Sequence, residues 1–300
     1  MIIEAEHVGV RFGRRAAVSE LTLAVPEGAA LALIGANGAG KTTTLRLLVN
    51  LLQPSTGAVR VLGVDSRRLS HRELRRIGYV SENQVLPGRL SVAQYFDYLR
   101  PLYPAWDRAF EAKLRDGLEL PAGTRIGALS RGGRSRLALA AALPYRPVLL
   151  LLDEPFSGLD PLVRDQVLDE VLDVAQGTTI VISSHDLDEI EGLVTHVAFM
   201  DRGTLRTHEP AEALSARFRA VTLTLEDAVD PPTDLPPAWL EPRALGRTLS
   251  FVDSAFTGAD ALAAKAAVRL GAIRAVDTQP MALKDISKHL MAARKREMER

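Results

Sequence analysis

Apolar and polar residues alternate along residues 1–28, giving two strand-like pieces, VGVRF and LTLAV, with a turn-rich stretch between them. Residues 29–34 (AALALI) replace that alternation with an unbroken apolar run. Similar runs return at residues 149–152 (LLLL) and 179–183 (TIVIS), the look of parallel strands buried on both faces. Residues 59–63 (VRVLG) and 77–80 (IGYV) read as shorter strands. Helical spacing follows residue 40, through Leu45, Leu47, Leu48, Leu51 and Leu52, with Pro54 closing it. Residues 85–145 read as mostly helical, and Ser91 with Gln94 forms a capping box for a helix reaching Leu99. Residues 161–175 read as helix, and residues 201–203 (DRG) as a hairpin turn between VAFM and TLRTH. The composition then shifts. Residues 229–242 hold five prolines and are expected to be irregular. They sit in a C-terminal unit of mixed strand and helix character, in which residues 281–290 form an amphipathic helix and the tail AARKREMER reads as a solvated helix end.

Between the first buried strand and the first helix lies GANGAGKT, residues 35–42. It matches G-x-x-x-x-G-K-[ST], a phosphate-binding loop. Small side chains and positive φ angles let backbone N–H groups close around a phosphate. The following helix directs the positive end of its dipole at the same place. Lys41 supplies a point charge to the β- and γ-phosphates, and the Thr42 hydroxyl is suited to Mg²⁺.

The run 149–152 ends in two carboxylates, Asp153 and Glu154. At a strand end in a nucleotide hydrolase, the first holds Mg²⁺ and the second polarises the attacking water. His185 follows the next buried strand and can donate to a γ-phosphate oxygen. The other five histidines show no metal-ligand spacing. Residues 129–133 (LSRGG) precede the helix-forming RSRLALAAAL, so Ser130 opens a second anion site at a helix N-terminus. A second anion site makes sense if it serves a nucleotide held by another copy of the protein.

The totals narrow the picture further. Of 300 residues, 47% are hydrophobic and 25% charged, an ordinary globular composition. Lys+Arg and Asp+Glu both number 37, which removes the electrostatic case for nucleic acid as the main partner. There is no cysteine, which fits a cytosolic protein. No signal peptide is expected from the N-terminal residues, and no stretch approaches the ~18 uninterrupted apolar residues of a membrane span. No repeat is visible.

Taken in order, GANGAGKT, GYVSEN, LSRGG, LLLLDE, SGLD and SSHD resemble the Walker A loop, Q-loop, signature, Walker B run, D-loop and switch histidine of the nucleotide-binding subunit of ABC transporters. The resemblance covers residues 2 to about 217 and extends to bacterial exporter-type ATPases with separate permeases. It implies an α/β fold: a P-loop NTPase of the ABC type, with parallel-sheet core, antiparallel β subdomain and helical subdomain (residues 85–145) within residues 1–217. A small C-terminal α/β accessory region at 218–300 would follow. It also implies ATP and Mg as cofactors. ATP binding would fall to Phe12, stacked on adenine, and to Gly35, Ala36, Asn37, Gly38, Ala39, Gly40, Lys41, Thr42 and Thr43. Metal contacts would come from Thr42, Asp153 and Glu82, and catalysis from Glu154 and His185. Ser130, Gly132 and Asp160 would contact ATP held by the partner subunit.

The implied function is ATP hydrolysis in a dimer closed around two ATPs, powering a separately encoded membrane permease, with export favoured. The dimer would be a homodimer or a heterodimer with a similar ATPase, peripheral on the cytoplasmic face of the membrane, with no nucleic acid expected. Residues 85–127 would receive the permease. The alternative, a soluble ABC ATPase acting on nucleic acid or ribosomes, fits less well. There is one set of motifs, no basic linker and no heptad array between Lys41 and Asp153. Three positions depart from the family pattern. Glu82 replaces the Q-loop glutamine, Arg131 the first signature glycine, and Gly133 a common glutamine. Arg131 either points away from the nucleotide with little effect, or points inward and adds a cation or hinders closure.

Overall fold

The alternating N-terminal segment pairs as two long antiparallel strands, β1 (Ile3–Phe12) and β2 (Arg15–Val25). The computed structural model describes residues 1–157, 159–175, 177–228 and 235–297. The chain continues through β3 (Ala30–Ile34), α1 (Lys41–Leu48), β4 (Thr56–Val61), β5 (Val64–Asp65), α2 (His71–Leu74) and β6 (Ile77–Val80). Three further helices follow: α3 (Val92–Leu99), α4 (Arg108–Gly117) and α5 (Arg131–Ala142). Then come β7 (Leu149–Asp153), α6 (Pro161–Ala175), β8 (Thr179–Ser184), β9 (His196–Asp201) and β10 (Thr204–Pro210).

The strands make two sheets, one in the order β2-β1-β4-β5 and one in the order β10-β9-β3-β8-β7-β6. In the second, β3 runs parallel to β8 and β9, and β7 runs parallel to β6 and β8. The unbroken apolar runs are its central strands, as their two-sided burial requires: Leu149, Leu150, Leu151 and Leu152 are all fully buried. One hydrophobic cluster unites both sheets with α1, through residues such as Ile3, Val8, Leu23, Leu31, Leu45, Leu48, Leu149 and Val181. Each such side chain contributes about 1.5–3 kcal/mol on burial. Register aligns the strand ends. Ile34 pairs with Ser184 and Asp153 with Ser183, so β3, β7 and β8 end at one edge of the sheet. Open parallel sheets bind ligands beyond the carboxyl ends of their strands.

Between β6 and β7 lies a layer of helices. The Ser91–Gln94 capping box forms as the sequence indicates, with the Ser91 N–H donating to Gln94 Oε1 at 2.9 Å and the Gln94 N–H to Ser91 Oγ at 3.2 Å. Tyr103 stacks on Tyr145 at 3.9 Å between ring centroids, and Glu111 is buried among Arg100, Trp106 and Arg115.

Local details differ from the sequence reading. The first helix ends at Leu48, not near Pro54, because Asn50 takes a left-handed φ of 56°; Leu51 is left exposed. In VRVLG the strand stops at Val61, since Leu62 (φ 54°) and Gly63 (φ 77°) make the tight turn into β5.

Contact density divides the chain into Met1–His208 and Glu209–Arg300, a boundary nine residues before the one read from sequence at 217. The second unit comprises α7 (Ala211–Arg217), β11 (Arg219–Leu225), β12 (Trp239–Leu245), β13 (Thr248–Asp253), α8 (Ala259–Leu270), β14 (Ile273–Pro280) and α9 (Leu283–Glu297). Arg217 belongs to it by its bonds, pairing with Glu209 at 2.7 Å and donating to the Ser254 carbonyl at 2.7 Å. Its sheet, β12-β13-β11-β14, is antiparallel around a core of Val221, Leu223, Trp239, Leu249, Phe251 and Leu262. Residues 229–234 of the proline-rich stretch lie outside the described residues, but residues 239–242 enter β12. Pro242 is accommodated there because β12 is an edge strand. Of the charged tail, residues 298–300 also lie outside the described residues.

Candidate active site

Residues 35–40 bridge β3 to α1 in a loop that only small residues can form. Gly38 and Gly40 adopt φ of 80° and 106°. A Cβ on Gly40 would come within 2.8 Å of the Ala17 carbonyl oxygen. Ala36, Asn37 and Gly38 are exposed, whereas Gly35 and Ala39 are buried. Lys41 folds back over the loop, its Nζ donating to the Gly35 carbonyl at 2.5 Å and lying 3.0 Å from Glu154 Oε1.

The register of β3, β7 and β8 brings the polar residues together here. Thr42 Oγ1 donates to Asp153 Oδ1 at 2.9 Å, and Ser183 Oγ donates to the same oxygen at 2.8 Å. Ser183 Oγ in turn accepts from the Glu154 N–H at 3.0 Å. Glu154 is held at a φ of 49°, a left-handed conformation costing a non-glycine residue about 1–2 kcal/mol. That turn sends its carboxylate back across the strand end, where His185 Nδ1 lies 2.8 Å from Oε2. Lys41, Thr42, Asp153, Glu154 and His185 therefore form one connected group.

A cleft beside this group is lined by Phe12, Asn37, Gly38, Ala39, Gly40, Lys41, Thr42, Thr43, Glu82 and Glu154. Phe12 ends β1 and stands 53% exposed, an aromatic face open at the cleft's rim. Arg15 and Arg202 also line it. The sequence reading missed both arginines and Ser183. Arg15 is the first residue after a two-residue turn and Arg202 sits in the β9–β10 turn, so neither stands near the loop in sequence. Ser183 was visible only as part of an apolar run; its role depends on pairing opposite Asp153.

Ser130, Gly132 and Asp160 are not among the residues that line that cleft. Ser130 caps α5, its Oγ accepting from the Gly133 N–H at 3.0 Å. Asp160 Oδ1 accepts from the Val163 N–H at 3.1 Å at the start of α6. Gly132 packs near Leu159, 3.3 Å from where its Cβ would stand, so these two segments adjoin. A second cleft, next to the first, is lined by Glu82, Arg131, Glu154 and Ser157 among others.

Residues 18–157 match the ABC transporter family model. The probable multidrug ABC transporter ATP-binding protein YbhF of Escherichia coli (strain K12) is 34% identical over 236 residues, covering 76% of this chain and 41% of that protein. The chain thus spans less than half the length of YbhF. The glycine betaine uptake system ATP-binding protein YehX of Escherichia coli (strain K12) is 37% identical over 212 residues, 67% of this chain and 68% of YehX. This chain belongs to the ABC transporter ATP-binding family. The dimeric post-hydrolysis structure of the ATP-binding cassette MJ0796, bound to ADP and Pi, shares the ABC fold, with a TM-score of 0.61 at 23% identity over 69% of this chain and 98% of that one.

Within this ABC fold, two of the departures from the family pattern meet. Arg131 Nη2 lies 3.8 Å from Glu82 Oε1 and 3.5 Å from Ser157 Oγ. Arg131 thus borders the second cleft together with Glu82 and Ser157. Gly133 is buried with Leu129 Cβ 3.3 Å from where its own Cβ would stand, which leaves little room for a larger residue.

Asp153 offers a test of fit for a divalent cation. It is 1% exposed, and both bonds to Oδ1 come from neutral hydroxyls that leave its charge uncompensated. A buried carboxylate in that condition is suited to a cation. Among the described residues no group of three or more His, Asp or Glu could hold a metal without other ligands. Mg²⁺ needs no such group, since it is commonly held by one or two carboxylates plus substrate phosphates. The residues present fit that arrangement.

Proposed function

We propose that this chain binds and hydrolyses ATP as the energy-supplying subunit of an ABC transporter, as a homodimer that drives a separate membrane permease. The observation that carries the reading is the meeting of Lys41, Thr42, Asp153, Glu154 and His185 at the common end of β3, β7 and β8.

In this reading the loop N–H groups and Lys41 hold the β- and γ-phosphates, and Phe12 stacks on adenine. Thr42 and Asp153 would hold Mg²⁺, with Glu82 on the adjoining wall; bound there, the ion neutralises phosphate charge. An incoming γ-phosphate competes for Lys41 and releases it from Glu154. Glu154 then accepts a proton from the water as its oxygen bonds to the γ-phosphorus and the bridging P–O bond to ADP breaks; His185 Nδ1 keeps that carboxylate in place, and its other ring nitrogen would donate to a γ-phosphate oxygen. Ser130, Gly132 and Asp160 are not among the residues lining the Lys41 cleft, which supports a role at the nucleotide of a second subunit.

Among the described residues no helix is long and apolar enough to cross a membrane, which supports placing the transport path in another chain. The protein would then act at the cytoplasmic face of the membrane. The relatives include a multidrug protein and an uptake protein. We favour export, on the C-terminal unit and the Glu82 replacement.

The test is nucleotide-dependent assembly. With Mg-ATP, Glu154→Gln protein should shift from monomer to dimer on size exclusion, while wild type turns ATP over. A protein that neither binds nor hydrolyses Mg-ATP would overturn the reading.

A further inference from the structure

We propose that Glu82 and Arg131 act as one charge-compensated pair, and that Arg131 controls phosphate affinity by neutralising Glu82. This rests on the nucleotide reading of the Lys41 cleft and adds to it.

Glu82 borders both clefts, so its charge stands beside the space where a polyphosphate would lie. Glu154 borders the same two clefts. Two acids on one wall beside a highly charged anion are unfavourable unless each is offset. Glu154 is offset by Lys41 at 3.0 Å until a phosphate takes the lysine. Arg131, from the first turn of α5, stands 3.8 Å from Glu82 as the more exposed counterpart of that pair. Its Nη2 is also 3.5 Å from Ser157 Oγ, in the segment that follows Glu154. One guanidinium thus spans three segments: the one after β6, the one after β7 and the start of α5.

The side chains of Arg131 and Glu82 are 63% and 36% exposed. An ion pair so accessible to water adds little to folding. Its effect is on the local potential, which nucleotide phosphates sense and which salt screens. The two unusual residues are then one substitution in two places. The acid brings charge into the cleft and the arginine removes it.

The experiment titrates fluorescent Mg-ATP into Glu154→Gln protein, which does not turn over, with Glu82→Gln, Arg131→Gln or both added. Arg131→Gln alone should weaken binding about two- to fivefold at low salt. With Glu82→Gln already in place, the same change should weaken it far less, and Arg131→Lys should retain affinity. The coupling should shrink towards ~1 M salt, where the Debye length is only about 3 Å. Arg131→Gln weakening binding by one factor whether or not Glu82 is present would mean that the arginine acts on phosphate directly, and overturns the pairing. So would a coupling that salt does not change. If the parent protein and Lys41→Ala both fail to bind Mg-ATP, the nucleotide reading itself falls; if the parent binds and the effects are independent, only the pairing does.

Discussion

The ammonium of Lys41 and the carboxylate of Glu154 lie 3.0 Å apart, with side chains only 6% and 10% exposed. The cation expected to hold phosphate and the acid expected to activate water therefore neutralise each other in this state. On the proposed reading, nucleotide binding exchanges the carboxylate for a phosphate at Lys41, so that binding and release of the base would be one event.

Lys41→Ala should abolish tight Mg-ATP binding, lowering affinity by two orders of magnitude or more, roughly the 3 kcal/mol that a lost buried charge partner costs. It also leaves the nearly buried Glu154 without its lysine, beside His185. Thermal melts should fall for Lys41→Ala and fall less when Glu154→Gln accompanies it.

Glu154→Gln keeps the shape but removes the proposed base. ATP binding should persist while kcat drops about 10²- to 10⁴-fold. Single-turnover hydrolysis checks this, and an active variant would show that another group takes the proton.

Ser183 is the residue that joins Asp153 to the Glu154 backbone. Ser183→Ala removes both bonds and should lower kcat about tenfold while costing about 1–2 kcal/mol of stability. Steady-state kinetics with a urea titration separate the two effects.

Glu111 tests the helical layer away from the nucleotide. Burial pushes its carboxyl pKa up, but hydrogen bonds from Arg100 and Trp106 and the charges of Arg100 and Arg115 outweigh this and leave it lowered. A lowered folded-state pKa gives stability that is present above the ordinary carboxylate value of 4.5 and lost as pH falls through the folded value. Glu111→Gln should cost about 2–3 kcal/mol at neutral pH. Urea denaturation should show the gap to wild type narrowing below pH 4.5.

The central strands, the capping box at Ser91 and the loop at 35–42 were legible because each is written locally, in an apolar run or a spacing. The residues of the Lys41 group were legible for the same reason. Their connection was not. It depends on Asp153 pairing opposite Ser183, a long-range register that no single segment encodes. Arg15 and Arg202 escaped because turns brought them to the cleft. Helix and domain ends shifted where a left-handed Asn50 or the bonds of Arg217 decided them, neither of which periodicity reports.

The central claim, that this chain hydrolyses ATP to power a separate permease, is tested most directly by what the arrested protein holds on to. Tagged Glu154→Gln protein would be purified from its native cells in Mg-ATP and its companions identified. A polytopic membrane protein should accompany it in near-equal amount. Ribosomal proteins or nucleic acid with no membrane partner would contradict the claim.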